Sequence, residues 1–165
     1  MDKRPTLETE RLVIRPFTLD DAPDVRLLAG DEAIAATTLN IPHPYEEGVA
    51  EAWIGMHRER FESGELVNFA IERHSDYHLV GSISLVFQNE HGRAEMGYWI
   101  GKPYWNNGYC TEAAAAVLEY GFVERKINRI IAHHILQNTA SGRVMQKTGM
   151  THEGRPRKHI LKWDR

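Results

Sequence analysis

Between Arg93 and Leu136 the sequence reads strand, glycine-containing turn, helix, strand, and that order constrains the fold more than any other feature. Arg93 to Gly101 has a strand pattern, Trp105-Asn106-Asn107-Gly108 interrupts it, TEAAAAVLEYGF predicts a helix starting near Thr111, and RIIAHHIL (Arg129 to Leu136) predicts another strand. A crossover helix of this length joins parallel strands. The preceding segment behaves differently: Val67 to Glu72 and Leu79 to Phe87, around the turn His74-Ser75-Asp76-Tyr77, predict an antiparallel hairpin with Val80, Ile83 and Leu85 among its apolar positions. Glu90-His91-Gly92 then turns the chain into Arg93. The sheet is expected to be mixed and the fold class α/β (α+β).

Upstream, Arg11 to Phe17 reads as a strand with Leu12 and Ile14 on one face, closed by Pro16. Thr18 caps a helix from Leu19 to Leu28, with Asp20 and Asp21 in its first turn and Gly30 just past its end. Asp31 to Tyr45, with Pro42 and Pro44, reads as irregular; Glu46 to Glu62 reads as one helix with Val49, Trp53 and Met56 as its apolar stripe. Asn138 to Thr148 is expected as a short helix stopped by Gly149, and Glu153 to Trp163 as a last, basic strand. No repeat or low-complexity linker divides the 165 residues, so a single domain over residues 1–165 is expected.

Composition narrows the function. Hydrophobic residues are 42% and charged residues 26%, as in a globular protein with a real core. No apolar run matches a membrane span, and MDKRPTLETERL lacks a signal peptide's apolar stretch, so no membrane partner and a cytoplasmic location are expected. The single Cys110 rules out an intramolecular disulfide and a Cys-based zinc site. His133 and His134 are adjacent on a strand and point to opposite faces, and no His-Glu-x-x-His pattern exists, so no metal is expected. The net charge of −3 argues against nucleic acid, but it is uneven. Residues 126–165 hold nine Lys/Arg against two Asp/Glu, a net of +7 that leaves −10 upstream, so the C-terminal quarter favours an anion.

Two motifs carry chemistry. In Trp105 to Ala113, a glycine turn opens a helix whose first N–H groups and partial positive charge suit phosphate. Gly108 permits close backbone approach, Cys110 is small, and Thr111 adds a hydroxyl. Asn-Gly is also a common hairpin turn, but here a helix-forming run follows it. The second motif is Asn138-Thr139-Ala140-Ser141 with Met145 to Met150, directly after the crossover strand. Helix capping accounts for Asn138 and Ser141 locally; their place at the carboxyl end of that strand supports a binding role.

Together these motifs resemble the GCN5-related N-acetyltransferases, in the branch of ribosomal-protein acetyltransferases of the RimJ/RimL type. The matching pieces are Thr9 to Pro16, Leu79-Val80-Gly81-Ser82-Ile83, Glu95-Met96-Gly97-Tyr98-Trp99-Ile100, the loop through Ala113, and Asn138 to Met150, in order over almost the whole chain. The resemblance implies a mostly antiparallel sheet splayed in its middle, with helices on both faces, and acetyl-coenzyme A as cosubstrate. It implies a bulge in the strand Arg93 to Gly101, with backbone at Tyr98, Trp99 and Ile100 binding the pantetheine like an added strand. It further implies a pyrophosphate on Asn106, Asn107, Gly108, Tyr109, Cys110 and Thr111. Trp105 stands where the family usually has Gln or Arg. By the same transfer, Asn138 binds the pantetheine arm, Ser141 lies near the thioester sulfur, and Arg143 and Lys147 reach the outer phosphate or adenine.

An amine attacks a thioester only when unprotonated, and an α-amine near pKa ~8 is easier to prepare than a lysine near ~10.4. Glu95 is the candidate base, directly or through water, because it alternates away from Met96 and Tyr98. A backbone N–H near Trp99 or Ile100 is the candidate oxyanion donor, and Ser141 the proton donor to the leaving thiolate. Cys110 is read as a small loop residue, not a nucleophile. The four tryptophans, and Val117, Leu118 and Phe122, read as packing residues. His43 is a candidate wall of an acceptor pocket; Glu46, Glu47 and Glu51 attract a cationic amine or merely open a helix. The acceptor is expected to be a protein N-terminus or a small-molecule amine. In the family a further strand follows the one like Arg157 to Trp163, and none precedes Arg165: either the sequence is truncated there, or another subunit completes the edge, which would favour a homodimer. A non-catalytic acyl-coenzyme A sensor and an unrelated phosphate-binding protein are the competing functions.

Overall fold

The crossover is present: β5 (Arg93–Ile100) runs parallel to β6 (Arg129–Ala132), joined through α5 (Tyr109–Glu119) and a π-helical turn (Tyr120–Glu124). The structure, a computed structural model, describes residues 3–38, 40–135 and 138–154. β1 (Leu7–Glu8), β2 (Leu12–Arg15), β3 (Leu66–Arg73) and β4 (Leu79–Gln88) precede β5. All six strands form one sheet in chain order, antiparallel up to β5. The expected strand Glu153 to Trp163 falls mainly outside the described residues.

Alternation gives the sheet two apolar faces. Leu12, Ile14, Ile83, Leu85 and Met96 face α5, whose Ala113 and Ala114 are fully buried and let the helix lie close. Truncating one of these, Ile83 for instance, would cost about 2–5 kcal/mol. On the opposite face Phe17, Ala70 and Trp99 pack beneath α1 (Ala22–Ala29), α2 (Glu32–Thr37) and α3 (Val49–Gly55).

Several local expectations are corrected. Asp31 caps α2 by accepting from the Ala33 N–H at 2.9 Å, so part of the supposedly irregular segment is helical. Glu46 to Glu62 is two helices, α3 and α4 (His57–Glu62), meeting at Met56. Gly48, at φ +86°, delays the helix start, and Ala50, Ile54 and His57 form the buried stripe while Met56 is 48% exposed. Ala50 and Ile54 fill the buried positions, and the half-buried Trp53 packs beside them, edge-on to Phe17 and His57, as expected of a packing residue. Phe122 is exposed because the π-helical turn brings Tyr120 inward instead, edge-on to Phe69.

β5 carries no bulge: its eight residues pair one-for-one with Gly81–Gln88, and the register shift lies at Ile71/Glu72 in β3. The opening in the sheet has another origin. β6 pairs only with Arg93–Met96 and ends at Ala132 instead of reaching Leu136. Gly97 to Ile100 then have β4 on one side and no strand on the other among the described residues.

Candidate active site

The unpaired half of β5 sets the geometry. The Gly101 N–H donates to the Val80 carbonyl at 2.8 Å. Alternation therefore turns the N–H groups of Gly97 and Trp99 toward β4, and those of Tyr98 and Ile100 into the opening. Of the two expected oxyanion donors, the register leaves Ile100 available, adds Tyr98 and commits Trp99; the Trp99 side chain lies in the core under α1 and α3. The Ile100 carbonyl accepts from Trp105 Nε1 at 2.6 Å. Trp105 thus clamps the loop to the strand and is 39% exposed, not a core residue.

The loop that follows is held open by its own polar groups. Asn106 (φ +65°) and Gly108 (φ +78°) are both left-handed, which Asn tolerates and glycine adopts freely. Asn107 Nδ2 donates to the Tyr104 and Trp105 carbonyls, both at 3.0 Å. Arg11 Nη1 donates to the Asn107 carbonyl at 2.8 Å, and Arg11 Nε to Glu112 at 2.8 Å. Glu112 also accepts from the Thr9 hydroxyl and the Arg11 backbone N–H. Gly108 caps α5, which begins at Tyr109, two residues before the start expected near Thr111. The amides of Tyr109, Cys110 and Thr111 precede any intrahelical carbonyl and face the loop, where the helix dipole adds positive potential. Burial pushes the Cys110 thiol up to about 12, so it remains a thiol.

On the other side of the opening stands α6 (Thr139–Lys147). Asn138 caps it, accepting from the Ser141 N–H at 3.1 Å while its Nδ2 donates to the Thr37 carbonyl at 3.2 Å. The Asn138 side chain thus ties α6 to α2. Ser141 is buried, its Oγ 2.7 Å from the Tyr98 hydroxyl. Arg143 and Lys147 lie one turn apart on the exposed side of α6. Glu95 projects to the face of Trp99 and contacts His133 Nδ1 at 2.8 Å. His133, the Tyr98 hydroxyl and the Arg11–Glu112 pair were not among the expected site groups. Arg11, Glu112 and Tyr98 lie in the quoted motifs and His133 does not; the contacts themselves span 38 to 101 positions.

The arrangement offers backbone donors along a strand edge, a helix N-terminus at one end and a hydroxyl pair at the other, which fits an extended amide chain ending in phosphates. Residues 11–151 match a family model described as the acetyltransferase (GNAT) domain.

The chain belongs to the GNAT acetyltransferase family.

The N-acetyltransferase YnaD of Bacillus subtilis, described as uncharacterised, is 34% identical over 167 residues, covering 96% of this chain and 92% of its own. The crystal structure of a GNAT acetyltransferase from Bacillus anthracis superposes with a TM-score of 0.86 at 30% identity, over 97% of this chain and 92% of that one. The ribosomal protein uS5-alanine N-acetyltransferase of Escherichia coli is 26% identical over 121 residues, 72% of this chain and 62% of that protein. This GNAT protein is an acetyltransferase that uses acetyl-coenzyme A as cosubstrate and an amine as acceptor. Among the described residues, no group of three His, Cys, Asp or Glu can hold a metal, and no helix is long and apolar enough to cross a membrane.

Proposed function

We propose that the acceptor is a primary amine, either the α-amine of a protein N-terminus or a small-molecule amine, attacking directly in a ternary complex. The observation that carries this reading is the unpaired edge of Gly97 to Ile100 between α5 and α6. The N–H groups of Tyr98 and Ile100 suit the acetyl oxygen and the pantetheine amides. The amides from Asn106 to Thr111 suit the pyrophosphate. Asn138 orients the arm with what remains of its hydrogen-bonding capacity, and Arg143 and Lys147 serve the outer phosphate.

Bound there, acetyl-coenzyme A supplies an activated acyl carbon, so no covalent enzyme intermediate is required. Ser141 donates to the departing sulfur, and Glu95 accepts a proton from the acceptor, directly or through water. Glu46 and Glu47 precede α3 and are exposed, so their charge is available to draw in a cation; Glu51 lies in its first turn. The relative named for an alanine of ribosomal protein uS5 supports the α-amine class, since alanine's side chain carries no amine, as does the lower pKa of α-amines.

The test measures coenzyme A release with peptides differing in their first residue, with blocked-N-terminus lysine peptides, and with small polyamines. Turnover of free N-termini or small amines supports the reading; turnover confined to blocked lysine peptides overturns it. The same reading favours the cytoplasm, which cell fractionation would check. A homodimer is proposed because β6 is an edge strand among the described residues, and sedimentation would read it.

A further inference from the structure

His133 is the first residue beyond the last ladder pair, Met96 with Ala132, so it stands where β5 and β6 part. Its Nδ1 lies 2.8 Å from Glu95 Oε1, and its Nε2 has no hydrogen-bond partner among the described residues. A carboxylate on Nδ1 selects the tautomer that donates from Nδ1, leaving the Nε2 lone pair free. Both side chains are half-exposed, at 48% and 43%, so substrate can reach them.

The sheet in front of the pair is shaped for access. In register, Asn68 lies beside Ser84, and Ser84 beside Gly97. Extending the parallel pairing by one step brings that row to His133. These side chains share the face of Glu95 and Trp99 by alternation, opposite α5. On β5 the neighbours of Gly97 on this face are the larger Glu95 and Trp99, in the rows of Leu66 and Val86 and of Ala70 and Ser82. Exposure rises along the small row, from buried Asn68 through half-buried Ser84 to exposed Gly97 and His133. A Cβ at Gly97 would meet only Ser84 Oγ, at 3.5 Å. The row therefore ends on a glycine, with no side chain between Ser84 and the imidazole.

We infer that Glu95 and His133 work as one unit: His133 Nε2 takes the proton from the acceptor ammonium, and Glu95 is the positioning residue that fixes the ring. This deepens the acceptor reading above and rests on it; the imidazole replaces the water between Glu95 and the amine. In the step, R–NH3+ passes one proton to Nε2, and the nitrogen lone pair forms the N–C bond to the acetyl carbon. The C–S bond breaks with its electron pair on sulfur, which gains a proton through Ser141 to match the second proton lost from nitrogen. The imidazolium then releases its proton to water. Throughout, the ring stays on the Glu95 carboxylate through Nδ1.

The test uses the full chain with the best amine from the acceptor survey. His133→Ala and Glu95→Gln are each expected to lower turnover on the order of 10²-fold, with acetyl-coenzyme A affinity by calorimetry within about threefold of wild type. The double variant should lose no more than the worse single variant, because the two groups act as a unit. His133→Gln serves as the substitute if His133→Ala unfolds. Turnover within about threefold of wild type for either His133 variant would overturn the proposal, as would additive losses in the double variant.

Imidazole 15N chemical shifts give a reading that needs no acceptor. Wild type should show His133 protonated at Nδ1, and Glu95→Gln should lose that preference; an Nε2-protonated wild-type ring overturns the unit. If wild type turns over no amine while binding acetyl-coenzyme A, the acceptor reading is overturned separately, and the shifts still decide the pairing.

Discussion

The Tyr98 hydroxyl lies 2.7 Å from Ser141 Oγ and 3.0 Å from the Ser141 carbonyl, joining the unpaired half of β5 to the first turn of α6. Burial raises the Tyr98 pKa above its ordinary value, so the phenol keeps its proton and acts as a donor. With the phenol proton on Ser141 Oγ, the shorter of the two contacts, the Ser141 proton is free to point into the cleft. Ser141→Ala is expected to lower single-turnover rates on the order of 10²-fold while changing coenzyme A affinity far less. Tyr98→Phe should give a smaller fall, about tenfold, since the serine survives. Equal losses of affinity and rate in Ser141→Ala would make Ser141 a binding residue.

Gly108 tests the phosphate loop. Gly108→Glu is expected to abolish coenzyme A binding, because it puts negative charge beside the helix N-terminus and strains a φ of +78°. Gly108→Ala isolates the strain, about 1 kcal/mol, with its Cβ 3.4 Å from Arg11 Nη2. Calorimetry with acetyl-coenzyme A, coenzyme A and adenosine diphosphate reads both variants. Unchanged affinity in Gly108→Glu would remove the loop from the site.

Glu112 holds the loop through Arg11 and Thr9, so Glu112→Ala leaves three donors without their acceptor. The expected cost is about 2 kcal/mol of unfolding free energy, less than the sum of three bonds because Arg11 is partly exposed and recovers water. Urea denaturation measures it. Coenzyme A affinity should fall as well, because Arg11 also fixes the Asn107 carbonyl. A stable variant with normal affinity would show that the loop keeps its shape unaided.

His57 predicts a pH dependence. The ring is 2% exposed, neither nitrogen has a hydrogen-bond partner among the described residues, and burial, with Arg4 and Arg60 adding to it, pulls its pKa from 6.5 to about 4. The unfolded chain binds the proton at the ordinary value and the folded chain only near 4. Between the two the unfolded state holds more protons, so stability falls as pH drops from about 6.5 to about 4. The loss is on the order of 3 kcal/mol. His57→Leu should flatten this window, as urea midpoints at pH 7, 6, 5 and 4.5 would reveal. An equal slope in the variant would assign the loss to other groups.

The parallel crossover, the antiparallel hairpin before it and the helices opening after Gly108 and Asn138 were legible in the residues alone, because they rest on local patterning. Alternation placed Leu12, Ile14, Ile83 and Leu85 correctly inside, and Asn138 and Gly108 cap their helices as residue type suggests. Tertiary structure decided what depends on competition between packed elements. It broke Glu46 to Glu62 at Met56 and turned His57 inward, where the stripe pattern favoured Val49, Trp53 and Met56. It opened the cleft by ending β6 at Ala132, not by bulging β5. It also brought Tyr98 to Ser141, Arg11 to Glu112 and Glu95 to His133. Local propensity extends over a few residues of backbone, whereas these pairs meet only where the sheet and its crossover helix bring distant segments side by side.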